Sequence, residues 1–178
     1  VAICEVGPTA AVYPVIVTNL KKAGDLRQQI RMVRGLAAFA KTDDKARESL
    51  RVALKSSHSQ VRTAAAEALA AVHSGSSKDA AALVDTFREK GTCDPALAKA
   101  IVACGASAVA PLDKALNQDR AVSAYAVVLL AQIGAKATPA LGRATDHPDS
   151  TVRRTAVNAL IKMGKNGSAA LAKAAASG

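Results

Sequence analysis
From His147 to Gly164 the chain reads HPDSTVRRTAVNALIKMG, a polar turn followed by apolar positions at Val152, Ala156, Ala159, Leu160 and Met163. Steps of 4, 3, 1 and 3 residues put all five on one face of an α-helix. Ser150 or Thr151 opens that helix, and Gly164 supplies the left-handed residue that ends it. The same pattern stands 30 residues earlier: Val122 answers Val152, Ala126 answers Ala156, Leu130 answers Leu160, and Ile133 answers Met163. Cys93, Leu97, Ile101 and Cys104 fill those slots 29 residues before that, which predicts one helix holding both cysteines. Gly105, Gly134 and Gly164 close the three helices, and Leu112, Leu141 and Leu171 each follow by seven residues. Pro111 and Pro139 fall near the openings of the next helices, where a missing backbone donor costs little. Each period therefore predicts a helical hairpin, with one helix before the polar turn and one after it.

Earlier copies are looser. SSHSQVRTAAAEALAAV (56–72) aligns Val61, Arg62, Ala65 and Leu69 with Val152, Arg153, Ala156 and Leu160. KARESLRVALKS precedes it, with Leu50 and Leu54 facing inward, and SGSSKDAAALVDTFREKG follows, with Ser76 or Ser77 as cap and Leu83, Val84 and Phe87 as the stripe. At the start, PTAAVYPVIVTNLKKAG (8–24) predicts one helix, with Pro14 in its first turns, and DLRQQIRMVRGLAAFA (25–40) its partner. A shift of 32 or of 35 aligns this first pair about equally well. KTDDK (41–45) and SGSSK (74–78) are hinges within the array. VAICEVG reads as the end of a helix and GSAALAKAAASG as the opening of one, so we expect about five hairpins with partial units at both ends of a single repeat domain, 1–178, taken from a longer array.

Composition agrees. Half of the 178 residues are hydrophobic, alanine dominates, tryptophan is absent, and phenylalanine and tyrosine number two each. Small side chains let helices approach closely and favour helix, so the fold expected is all-α with thin interfaces. No apolar run reaches the ~18 residues of a membrane span. Cys4, Cys93 and Cys104 show no metal-ligand spacing and read as small buried hydrophobes, which points weakly to a cytoplasmic setting.

The HPD turn, the following Val-Arg pair and the alanine-rich helix ending in glycine resemble HEAT-type repeats, in the short variety of about 30 residues, against the usual ~40–47, that occurs in phycobilisome-lyase-like proteins. The resemblance covers nearly the whole chain. It implies a right-handed α-solenoid (superhelix) of antiparallel helical hairpins whose second helices line a concave surface. It also implies that Arg62 and Arg153, at the family's Val-Arg position, pair with an acidic residue of a neighbouring repeat. Two enzyme classes resembling this architecture fit poorly. The di-iron hydroxylases present His-Glu pairs, whereas His58, His73 and His147 precede Ser, Ser and Pro; the alkylpurine DNA glycosylases use tryptophans. A subunit similar to bilin lyases remains as an alternative. No P-loop, dinucleotide fingerprint, H-E-x-x-H or serine elbow is present. Asp43 and Asp44 suit a helix N-terminus, and Tyr13 and Tyr125 suit packing at a core or groove edge. The expectation is a non-catalytic scaffold that calls for no cofactor and no metal.

Charge is the remaining signal. The net charge is +10, with ten Lys/Arg against five Asp/Glu in residues 1–60 and seven against two in 121–178. Arg27, Arg31 and Arg34, spaced 4 and 3, share a helix face. If second helices line the groove, Arg27, Arg31, Arg34, Arg154 and Lys162 face into it as partner-binding residues. A protein partner, acidic in character, fits best. Sequence-independent nucleic-acid binding through phosphate contacts is the alternative, though interleaved aromatics for single strands are missing. A basic groove also suits an anionic membrane surface.

Overall fold
The computed structural model describes residues 16, 18, 25–72 and 75–177. The predicted helix over 8–24 therefore lies outside the described residues, apart from Ile16 and Thr18, which are helical. So do VAICEVG, Cys4, Tyr13, Pro14 and His73.

Ten α-helices follow one another with no strand among the described residues: α1 (Leu26–Phe39), α2 (Asp44–Ala53), α3 (Ser59–Val72), α4 (Ser77–Lys90), α5 (Pro95–Ala103), α6 (Ala106–Ala115), α7 (Arg120–Ile133), α8 (Thr138–Ala144), α9 (Ser150–Lys162) and α10 (Lys165–Ser177). The fold is an all-α solenoid, in which α2–α3, α6–α7 and α8–α9 pack as antiparallel helical hairpins. Short polar side chains start the helices. Asp25, Asp43, Ser76, Asp119 and Asp149 accept first-turn backbone N–H groups of α1, α2, α4, α7 and α9.

Two compact units divide the chain. In the first, α1 and α3 lie side by side and α2 packs on both, burying Val33, Leu36, Leu50, Val61, Ala65 and Leu69. Asp94 closes this unit by accepting from Leu97 N–H at 2.8 Å and from Thr63 Oγ1 at 3.1 Å. In the second unit the first helices form one layer (α4 on α6, α8 on α10) and the second helices α7 and α9 another. Leu83, Phe87, Leu112, Leu130, Leu141 and Leu160 fill the space between them. Alanines at Ala108, Ala126, Ala137, Ala140 and Ala156 are fully covered, so the layers meet closely.

Several expectations change in detail. The helix predicted to hold both cysteines is short: α5 spans only Pro95–Ala103, so Cys93 precedes it and Cys104 follows it. Gly91 ends α4 at φ +64°, and Asp94 with Pro95 restarts the chain there, removing the first turn that the later copies keep. Leu97 and Ile101 still occupy buried slots, but both cysteines are only half-covered. Burial, then the charge of Asp79, pushes the Cys104 thiol up to about 11. Pro139 does open α8 after a 3₁₀ turn at Ala135–Ala137. Pro111 instead sits inside α6, where its ring leaves Ser107 without the usual i+4 donor. The preceding turn is wound tightly, with Ser107 and Ala108 N–H donating to the carbonyls three residues back. Gly105 (φ 55°, ψ −127°) and Gly134 (φ 84°, ψ −144°) take a backbone region that glycine alone enters freely, so each is a sharp joint between helices rather than a left-handed cap.

Candidate partner-binding cleft
On α1 the buried residues Gln29, Val33 and Leu36 define the inner face. Arg27, Arg31 and Arg34 therefore project together from the opposite side, and all three are exposed. Beside them, α3 turns Val61, Ala65 and Leu69 inward and presents Ser59, Gln60, Thr63 and Glu67 at its outer edge. Between the two helices lies a cleft of 640 Å³, lined by Arg27, Ile30, Arg31 and Arg34 from α1 and by Ser59, Gln60, Thr63, Ala64 and Glu67 from α3.

The arginines of this chain fall into two sets. Most are engaged at structural posts. Arg47 meets Asp44 at 2.7 Å, Arg88 meets Asp85 at 3.1 Å, Arg120 meets Asp149 at 3.4 Å, and Arg143 meets Asp113 at 2.7 Å. Arg62 donates to the carbonyls of Ser56 and Ser57, both at 2.9 Å, and Arg153 to those of His147 and Pro148 at 2.8 and 2.7 Å. This corrects the expectation for Arg62 and Arg153: they tie down the turn of their own hairpin and, among the described residues, do not pair with a neighbouring acid. Six and five residues separate donor from acceptor in both cases, so one guanidinium nitrogen spans the turn it follows. Arg27, Arg31 and Arg34 are different. Their guanidinium groups, like that of Arg154 on α9, have no hydrogen bond or ion pair among the described residues; what sets these three apart is that they stand open together in one cleft.

Of the five residues expected in one groove, the structure brings Arg27, Arg31 and Arg34 together. Arg154 and Lys162 are exposed on α9 in the second unit and are not among the walls of this cleft. The α3 wall was missed in the sequence. Its signal was available: Gln60, Thr63 and Glu67 are spaced 3 and 4, the outward complement of the inward stripe already assigned.

The cleft suits charge recognition. Guanidinium groups hydrogen-bond carboxylates or phosphates in fork geometry, and Ser59, Gln60 and Thr63 add neutral donors and acceptors. Among the described residues, no aromatic ring lines it. Among the described residues, no group of three or more His, Cys, Asp or Glu is placed to hold a metal ion, and no helix is long and apolar enough to cross a membrane. His147 is held by backbone: Nδ1 accepts from Asp149 N–H at 3.0 Å, and Nε2 lies 2.8 Å from the Leu116 carbonyl.

Comparison with known proteins agrees with this architecture. The family description of HEAT repeats matches residues 13–103 and 109–177. Among solved structures, the chain is similar to the complex of CpcE and CpcF of phycocyanin lyase from Nostoc sp. PCC7120, at 18% identity over 90% of this chain and 68% of that one, with a TM-score of 0.50. An engineered protein is similar at 23% identity over 93% and 85% of the two chains, with a TM-score of 0.43. No curated protein matches by sequence. The likeness to the lyase complex, at 18% identity, is a likeness of fold.

Proposed function
The chain belongs to the HEAT-repeat family, and we propose that it is a non-catalytic scaffold that docks an acidic segment of a protein partner in the α1–α3 cleft. The observation that carries this reading is the contrast among arginines. Where the fold uses an arginine, it gives it a carboxylate or turn carbonyls, whereas Arg27, Arg31 and Arg34 line an open cleft with no partner. Three such groups on one wall favour a ligand with several carboxylates. Arg154 and Lys162, exposed on α9, are further partner-binding positions under this reading.

A protein is favoured over nucleic acid because Glu67 lines the same cleft and, among the described residues, no aromatic ring is there for base stacking. A phosphate backbone entering the cleft would meet that carboxylate. The similarity to a phycocyanin lyase complex, at 18% identity, supports a helical-repeat fold; a subunit similar to bilin lyases is the alternative reading.

The test is fluorescence anisotropy with a labelled glutamate-rich peptide and, separately, a labelled short DNA duplex, each at low and physiological salt. The peptide should bind, and R31E with R34E should weaken it at least about tenfold, the equivalent of ~1.4 kcal/mol, with unchanged helicity. Duplex binding that dominates at low salt and falls steeply with added salt would replace this reading with the nucleic-acid one. Peptide affinity indifferent to both substitutions would remove the cleft from the function.

A further inference from the structure
Resting on the reading just given, we infer that Glu67 makes the α1–α3 cleft selective for a protein segment of mixed charge, with carboxylates against Arg27, Arg31 and Arg34 and one lysine or arginine against Glu67. Among the described residues lining the cleft Glu67 is the one acid, against three arginines. It is exposed and, like the arginines, has no ion pair among the described residues. The carboxylate therefore does not neutralise the arginines from within, and both signs are presented to whatever enters.

The repeats argue that the fold does not require an acid there. Aligning Val61 with Val122 and Val152 puts Val128 on α7 and Asn158 on α9 at the position of Glu67. All three are exposed on their helices, so the position takes an apolar, a neutral polar or a charged side chain. What distinguishes the α3 copy is its setting opposite three open guanidinium groups. A carboxylate in that place repels a uniformly anionic ligand and attracts a cation next to an acidic cluster, which is discrimination by an unfavourable contact as much as by a favourable one.

The experiment uses two synthetic peptides and a short DNA duplex. Both peptides carry three glutamates at helical spacings of 4 and 3; one has a lysine beyond them, and its twin has glutamine in that place. Binding is measured to the unaltered protein and to Glu67→Gln, whose exposed position leaves the fold intact, as circular dichroism would verify. The unaltered protein should prefer the lysine peptide by about three- to fivefold, the upper range for one exposed charge pair. Glu67→Gln should erase that preference and raise duplex affinity at low salt by a similar factor. A preference for lysine that survives Glu67→Gln, or none in the unaltered protein, would overturn the inference. Failure of the docking reading looks different: R31E with R34E would then leave both peptides unaffected. If neither peptide binds the unaltered protein, the reading and the inference built on it fall together.

Discussion
His147 donates through Nε2 to the carbonyl oxygen of Leu116 at 2.8 Å, although thirty-one residues separate them in the chain. The proton is assigned to Nε2 because Nδ1 already accepts from Asp149 N–H. Leu116 caps the end of α6, where one hairpin turn begins, and His147 stands in the next such turn, so the bond joins equivalent turns of consecutive repeats. Ser123 Oγ donates to the same carbonyl at 2.8 Å. Other ties repeat the period: Arg143 with Asp113 across thirty residues, Arg120 with Thr151 across thirty-one, and Thr63 with Asp94 across thirty-one. The sequence period has become a ladder of polar contacts along the turns.

Replacing His147 by alanine should remove the tie from Leu116 and leave Asp149 N–H without its acceptor. A loss of about 1–2 kcal/mol is expected, measurable by urea denaturation. In an array of this kind the loss should fall on the coupling between neighbouring hairpins. Hydrogen exchange should quicken first in α8 and α9, while α1–α3 keep their protection.

Arg62 and Arg153 should behave as a matched pair. Each holds two turn carbonyls with one guanidinium nitrogen. Either R62A or R153A should cost about 1–2 kcal/mol. The double variant should lose close to the sum, since the sites lie in different units and share no partner. Equal binding of an acidic peptide by R62A and the unaltered protein would confirm that this arginine serves the fold, in contrast to Arg31 and Arg34.

How far the sequence carried this picture can be judged residue by residue. Val122, Ala126 and Leu130, and Val152, Ala156 and Leu160, were legible as core because helix periodicity is local and recurs at a fixed offset. Arg27, Arg31 and Arg34 were legible as one face for the same reason. The helix around Cys93 was overextended, because periodicity cannot see that Gly91 and Asp94–Pro95 stop and restart the chain. Pro111 reads like Pro139 in sequence, but α6 already begins at Ala106 whereas α8 begins at Thr138, so one proline falls inside its helix and the other opens it. The work of Arg62 and Arg153 depends on where a long side chain folds back, which spacing leaves undetermined.

Acid should weaken the second unit through Asp149. The Val152 N–H, foremost, with the Thr151 N–H and the Arg120 charge, holds this carboxyl below the usual carboxylate range despite some desolvation. A folded-state value below the unfolded one stabilises the fold above the unfolded value of about 3.9. That contribution is lost as pH falls through the folded value. Asp149→Asn keeps an acceptor but not the charge, so its stability should change less between pH 5 and pH 3. Parallel acid curves for the two proteins would remove Asp149 as a source of the slope.

The Cys104 thiol should be slow to react. With its pKa pushed up to about 11 by burial and by Asp79, only ~0.1% is thiolate at pH 8, against roughly a quarter for an ordinary cysteine of pKa 8.5. A thiol-disulfide reagent should modify it more than about tenfold more slowly than glutathione, and C104S marks which thiol is being read. Denaturant should bring the rate up to that of a free thiol.

Gly167 should be the least replaceable residue of the last helix. A Cβ there would lie 1.8 Å from the Leu160 carbonyl oxygen, with the carbonyl carbon at 2.6 Å and the Leu160 Cα at 2.9 Å. All three are backbone atoms of α9, so no side chain can turn aside. The equivalent positions after Gly105 and Gly134 are Ala108 and Ala137, both fully buried, so earlier hairpins accommodate the methyl group that the last one excludes. Gly167→Ala should therefore push α10 away from α9, costing about 1–3 kcal/mol as overpacking does, even though alanine favours helix over glycine by up to ~1 kcal/mol. Gly142→Ala is the matched control, since its Cβ would meet only the Ala170 methyl at 3.7 Å, an ordinary contact. Hydrogen exchange should rise across α10 in the first variant and not in the second. Equal protection in both would show that α10 does not depend on this close approach.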